Sequence, residues 1–256
     1  MKIVYYFKVV FFLIAAVSLS SCSSIHSRSE LSSQAVFSAA EPTSYRELLA
    51  RYVTPQGVDY QQWSRSSADL SQLSEVSRYY ATHQPPAEEQ SAFAWYLNAY
   101  NAWILQRILS DWPNEGPLDA SLLFFHKKSI VVSGKSMSLL HLENEVIRKK
   151  FSDPRLHFAL NCASRSCPPL HNEPFEGRNL DRVLESLTNA FLNENPQALQ
   201  ETESEVRLSK IFKWYEEDFG GRENLVPFIN RYRKEPLSLS KEVSFLDYDW
   251  QLNAKF

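Results

Sequence analysis

Cysteine is scarce in this chain: only three occur in 256 residues, at Cys22, Cys162 and Cys167, so at most one intrachain disulfide can form. Glycine is also scarce, at six residues, which argues against mobile Gly-rich loops, and aromatic residues at 13% suit a compact fold. No internal repeat is visible. Charge of either sign is modest, with a net charge of −3. There is no basic run interleaved with aromatics, so nucleic acid is not an expected partner.

What is present begins at the N-terminus. Lys2 and Lys8 precede an apolar run from Val9 to Leu19, and Ser20-Ser21-Cys22 follows. The run is too short to remain as a membrane-spanning helix and has the anatomy of a secretory signal. Leu19-Ser20-Ser21-Cys22 resembles the lipobox of bacterial lipoproteins, in which the cysteine is acylated and becomes the new N-terminus. An ordinary signal peptide with an incidental cysteine is the plainer alternative. Ser23, rather than Asp, follows the cysteine and points to an outer-membrane anchor facing the periplasm. The expected organisation is therefore a signal peptide over 1–21 and a lipidated flexible tether over 22–43, rich in Ser and Ala. A single globular domain over 44–256 follows, about the right length for one core.

Within that domain, helices are expected over 44–53, 59–80, a long segment from Ala87 to near Leu109, 139–150, 180–193, 211–219 and 225–233. Ile130-Val131-Val132 and Met137-Ser138-Leu139 around Ser133-Gly134-Lys135 read as a hairpin. Strands are expected over 156–160, 205–208 and 243–246. Helices outnumber strands without regular alternation, which predicts an α+β fold, mainly helical and packed on a small sheet.

Two helices carry polar residues in apolar settings. Around Trp95-Tyr96-Leu97-Asn98-Ala99-Tyr100-Asn101-Ala102-Trp103, apolar character covers most of the circumference, so Asn98 and Asn101 should be drawn inside. Buried amides need partners, which could be loop backbone or a ligand. On the later helix Leu139, Leu140, Leu142, Val146 and Ile147 span one arc, with Glu143 near its middle. A carboxylate there needs a cation or a strong donor. It could pair with Arg155 or Arg165, or it could orient a histidine.

The densest constellation runs from Arg155 through His157, Asn161, Cys162, Ser164, Arg165, Cys167 and Pro168-Pro169 to His171. Three readings compete. Cys162 and Cys167 can form a disulfide, since the expected compartment is oxidising. Cys162 can instead be a nucleophile activated by His157 and oriented by Glu143. In an unbroken strand, however, residues 157 and 162 would face opposite sides. Zinc held by His157, Cys162, Cys167 and His171 is the third reading, but the spacing fits no familiar zinc pattern.

The blocks from Trp95 to Ala102, Ser138 to Arg148, His157 to Leu170, Leu208 to Phe219 and Phe245 to Asn253 resemble the family called domain of unknown function 547, from about Tyr45 onward. The resemblance implies no established activity. It does imply that Asn98, Tyr100, Asn101, Glu143, His157, Cys162 and Cys167 form one site. His171 stands where such relatives often carry arginine, and Asn144 where they often carry histidine.

The expected function is a cysteine-dependent hydrolase or transferase in the cell envelope. It would act on an amide or thioester of a peptide or of a small thiol peptide resembling glutathione. Cys162, His157 and Glu143 are the expected catalytic residues, and Asn98, Tyr100, Asn101, Ser164 and Arg165 the expected substrate-binding ones. No cofactor or metal is expected, and the expected partners are a small-molecule or peptide ligand and the membrane, through Cys22. The alternative is a non-catalytic ligand-binding module with a structural Cys162–Cys167 disulfide.

Overall fold

The computed structural model describes residues 42–120, 123–127 and 129–255. The expected signal peptide, the lipidation residue Cys22 and the tether up to residue 41 lie outside the described residues. Among the described residues no helix is long and apolar enough to cross a membrane.

The fold is α+β, with helices wrapped around two adjoining cores. Helix α1 (Thr43–Tyr52) leads into a two-residue hairpin, β1 (Val53–Thr54) and β2 (Gly57–Val58). The single helix expected over 59–80 is two, α2 (Tyr60–Ser64) and α3 (Ser67–Thr82), because capping side chains restart it. Asp59 accepts from the Gln62 amide and Ser66 from that of Asp69. Such oxygens satisfy first-turn N–H groups that have no partner within the helix.

Helix α4 (Glu89–Ser110) is the spine, started by Glu88, whose carboxylate accepts from the amides of Gln90 and Ser91. It is enclosed as its composition predicts: Phe93, Leu97, Ala99, Tyr100, Ala102 and Ile104 are all buried. After α5 (Pro117–Ala120), strands β3 (Ile130–Val132) and β4 (Lys135–Met137) form the expected hairpin.

The helix expected over 139–150 is present but interrupted. Between α6 (Leu139–His141) and α7 (Arg148–Phe151), residues Leu142–Ile147 form a π-helical turn. Such turns hold an extra residue and re-aim side chains.

The strand expected over 156–160 is instead a 3₁₀ helix, Pro154–Phe158. Asp153 accepts from the Arg155 amide and Pro154 occupies the first turn. This start signal overrides the alternating apolar pattern. Leu156, His157 and Phe158 are consequently all buried, rather than alternating between two faces.

Helix α8 (Leu180–Glu194) crosses from one core to the other. Leu180 and Leu184 belong to the first core with the residues of α4, while Phe191 and Leu192 belong to the second core with Phe158, Phe212 and Phe228. That core is floored by a three-stranded sheet of order β5-β6-β7, from β5 (Leu199–Glu201), β6 (Glu205–Leu208) and β7 (Glu242–Phe245). Strand β5, which was not expected, pairs antiparallel to β6, and β7 pairs parallel to it. Helix α9 (Lys210–Trp214) is shorter than expected and gives way to a 3₁₀ turn, Glu216–Phe219, and α10 (Leu225–Asn230) completes the core.

Candidate functional site

The cysteine loop follows closely on the 3₁₀ helix and is held by bonds from Asn161 and from the C-terminal segment. Asn161, buried, accepts from the Ala163 amide at 2.9 Å and donates to the Pro168 carbonyl at 2.8 Å. Ala163 takes a left-handed backbone conformation, φ 64°, which a residue with a Cβ adopts at a cost of roughly 1–2 kcal/mol. The C-terminal segment secures it: the amide of Asn253 donates to the Ala163 carbonyl, and the amides of Arg165 and Ser166 donate to the carbonyls of Gln251 and Asp249. Two glycines let this segment approach. A Cβ on Gly57 would lie 2.5 Å from the Asn253 carbonyl oxygen, and one on Gly116 2.4 Å from that of Trp250.

Within this frame Cys162 and Cys167 form a disulfide, with 6.1 Å between their Cα atoms. Cys167 is buried, whereas Cys162 is partly exposed. Both sulfurs have hydrogen-bond donors. The Cys162 amide donates to Cys167 Sγ at 2.8 Å. The Tyr248 hydroxyl lies 3.1 Å from Cys162 Sγ and 3.3 Å from Cys167 Sγ, and Ser164 Oγ lies 3.0 Å from Cys162 Sγ. Burial pushes the Tyr248 hydroxyl well above its ordinary pKa, so it stays a neutral donor.

The expected triad of Cys162, His157 and Glu143 is not assembled. His157 Nε2 bonds Asp218 Oδ2 at 2.7 Å, so the carboxylate that orients the imidazole is Asp218, not Glu143. Asp218 also receives Arg148, whose Nε and Nη2 donate at 2.6 and 2.7 Å. Burial alone would raise the Asp218 carboxyl, but the bonds from His157 and Arg148 outweigh it and hold it well below the carboxylate range. Glu143 forms no ion pair with Arg155 or Arg165 and accepts instead from two phenols, Tyr100 at 3.1 Å and Tyr215. The Tyr215 ring stacks on the His157 ring, centroids 3.9 Å apart, and thus stands between the imidazole and Glu143. No hydrogen bond joins His157 to either sulfur among the described residues.

These groups share one cavity of about 500 Å³, with the disulfide, Tyr100, Glu143, Arg148 and His157 on its wall. Trp214, Tyr248 and Trp250 also line it and pack together, with Trp214–Tyr248 and Tyr248–Trp250 centroids each 4.7 Å apart. The size and the mixture of aromatic wall and few polar groups suit a small ligand.

The other expected binding residues lie elsewhere. Asn98 exchanges two bonds with the Phe175 backbone, at 2.9 and 2.8 Å. Asn101 donates to the Ala159 carbonyl and accepts from the Asn161 amide, each at 2.9 Å. Both amides therefore fasten loops to α4 rather than face the cavity. Ser164 touches the Cys162 sulfur but lines a separate hollow of about 200 Å³ behind the disulfide, together with Arg165. Arg165 is bound to Gln251 and lies 3.9 Å from Asp249. His171 packs beside Phe175, so the four residues weighed as zinc ligands do not converge among the described residues.

Asp218, Tyr215, Tyr248, Trp214 and Trp250 were not assigned roles from sequence. Their signal lay in the two C-terminal blocks, where acids and aromatics alternate closely, but nothing local ties those blocks to the cysteine loop. The family model for a protein of unknown function, DUF547, matches residues 85–192. That span holds α4, the π-helical turn, the 3₁₀ helix and both loop cysteines, but not Tyr215, Asp218 or Tyr248. No curated protein and no solved structure matches the chain.

Proposed function

We propose that this chain is an envelope lipoprotein, anchored through Cys22 to the outer membrane and facing the periplasm. Its cavity would perform cysteine chemistry on a small thiol peptide of the glutathione kind. Support for the address is the lysine-flanked apolar run ending at Cys22, together with a disulfide, which persists in oxidising compartments. The observation that carries the chemistry is that Cys162 is partly exposed and lines the cavity, while its leaving partner Cys167 Sγ already has hydrogen-bond donors.

The favoured reaction is thiol–disulfide exchange. A ligand thiolate attacks Cys162 Sγ, a ligand–Cys162 bond forms, the Cys162–Cys167 bond breaks, and the electron pair moves to Cys167 Sγ. The Cys162 amide and the Tyr248 hydroxyl stabilise that thiolate, and a better-stabilised leaving thiolate departs faster. A second ligand thiolate attacks the ligand sulfur of the ligand–Cys162 disulfide, that bond breaks with its electron pair going to Cys162 Sγ, and the product disulfide leaves. A disulfide co-substrate runs the steps in reverse to restore the pair. Amide hydrolysis is less well supported, since the imidazole is committed to Asp218 and no base touches the sulfur. Attack on a thioester would use the same Cys162 sulfur once reduced.

The second reading, a binding module with a structural staple, draws on the burial of Cys167 and the tight hold on the loop. Incubation with glutathione separates the two. Exchange predicts opening of the bridge in folded protein, a glutathione adduct on Cys162 by peptide mapping, and accumulation of that adduct in Cys167→Ser with oxidised glutathione. A bridge that resists excess glutathione until the protein unfolds, with stability falling by about 2 kcal/mol when both cysteines become serine, would establish the staple instead.

A further inference from the structure

Glu143 sits on the cavity wall without a basic partner. Among the described residues, no Lys, Arg or His nitrogen lies within ion-pair distance of its carboxylate, and its bonds come from the hydroxyls of Tyr100 and Tyr215. Two phenolic donors leave acceptor sites unused on a carboxylate, which can accept about four bonds. Both phenols stay neutral, because burial and then the Glu143 charge push them well above the ordinary tyrosine range. They therefore do not cancel its charge.

The one arginine on the wall is spent elsewhere. Arg148 spends Nε and Nη2 on Asp218 and Nη1 on Asn144, at 2.7 Å. Arg148 feels the Glu143 charge but makes no bond to it, and His157, also on the wall, bonds Asp218, so no cation is seated on the Glu143 carboxylate. The same cavity is lined by two indoles: Trp214, which is 44% exposed, stacks with Trp250 at 5.7 Å. Indole faces attract cations, and a buried carboxylate rimmed by indoles is the chemistry that selects an ammonium group.

We infer that the cavity takes a ligand carrying an ammonium group, seated against Glu143 and covered by the indoles of Trp214 and Trp250. This deepens the proposed function by naming a charge feature of its substrate. A thiol peptide with a free amino group offers an ammonium and a sulfur to the same cavity.

The test is binding to the disulfide form, where no thiol chemistry intervenes. Three probes of one chain length are compared, n-pentylamine, pentanol and pentanoate, with tryptophan fluorescence and indole N–H NMR shifts as readouts. The amine should saturate the signal at a concentration at least tenfold below the other two. Glu143→Gln should remove that preference, and Trp214→Leu should weaken the amine several-fold with an unchanged circular dichroism spectrum. Equal binding of pentanoate, or an amine preference that survives folded Glu143→Gln, would overturn the inference. Should Glu143→Gln fail to fold, an unchanged amine affinity in Trp214→Leu would do so. Because the oxidised protein is used, amine selectivity without glutathione exchange sinks only the exchange chemistry, and exchange without amine selectivity sinks only this inference.

Discussion

The asparagines of α4 and the carboxylate of the π-helical turn are buried to similar depth, Asn98 and Asn101 at 2% exposure and Glu143 at 7%. Their partners differ in kind. The asparagines exchange paired bonds with backbone at Phe175, Ala159 and Asn161, whereas Glu143 bonds only side-chain hydroxyls and opens onto a cavity. A polar group that satisfies backbone is being used to shape a loop. One that bonds movable hydroxyls beside empty space keeps capacity for a ligand. Burial alone does not separate the two cases; the identity of the partner does.

The largest effect should come from breaking the backbone clamp. Asn101→Ala strands the Ala159 carbonyl and the Asn161 amide in the interior, and should cost about 3 kcal/mol by denaturant unfolding. It should leave the amine-over-alcohol preference of any folded fraction unchanged. Loss of that preference at constant stability would put Asn101 on the ligand side of the comparison.

A smaller, pH-dependent effect should mark Asp218. Its depressed pKa means that its contribution is present above the unfolded carboxylate value, about 3.9, and is lost as pH falls toward the folded value. Unfolding free energy should therefore decline with acid below about pH 4 in the native protein, and less steeply in Asp218→Asn. Identical acid slopes in the two proteins would remove Asp218 as the group that holds His157 and Arg148.

The smallest effect should belong to Arg165, whose half-exposed side chain contacts Gln251 and Asp249 outside the main cavity. Arg165→Ala should change stability by no more than about 0.5 kcal/mol and leave probe binding unaltered. A clear loss of amine affinity would mean that the site extends through the disulfide into the smaller hollow.

Much of this was legible in the sequence, and the limits have physical causes. The enclosed α4, the buried Glu143, the hairpin at Ser133-Gly134 and the α+β class followed from periodicity and turn chemistry. The 156–160 strand failed because Asp153-Pro154 is a helix-start signal stronger than a short alternation. The π-helical turn leaves no compositional mark, so the angular position of Glu143 was right while its partner was not. Asp218 lies 61 residues beyond His157, and Tyr248 lies 86 beyond Cys162. Such pairings depend on how two cores dock, which periodicity within one element cannot report.

The seating of Tyr248–Asn253 against the cysteine loop makes the site depend on the end of the chain. Every other wall of the cavity is made by residues that precede Phe219, yet the hydroxyl on the sulfurs and the bond to the Ala163 carbonyl come from this late segment. Most residues of both cores precede Tyr248, so the environment of the loop sulfurs is completed by the end of the chain that is made last. A chain cut before Tyr248 would lack the hydroxyl on the sulfurs and the backbone bonds to Ala163, Arg165 and Ser166.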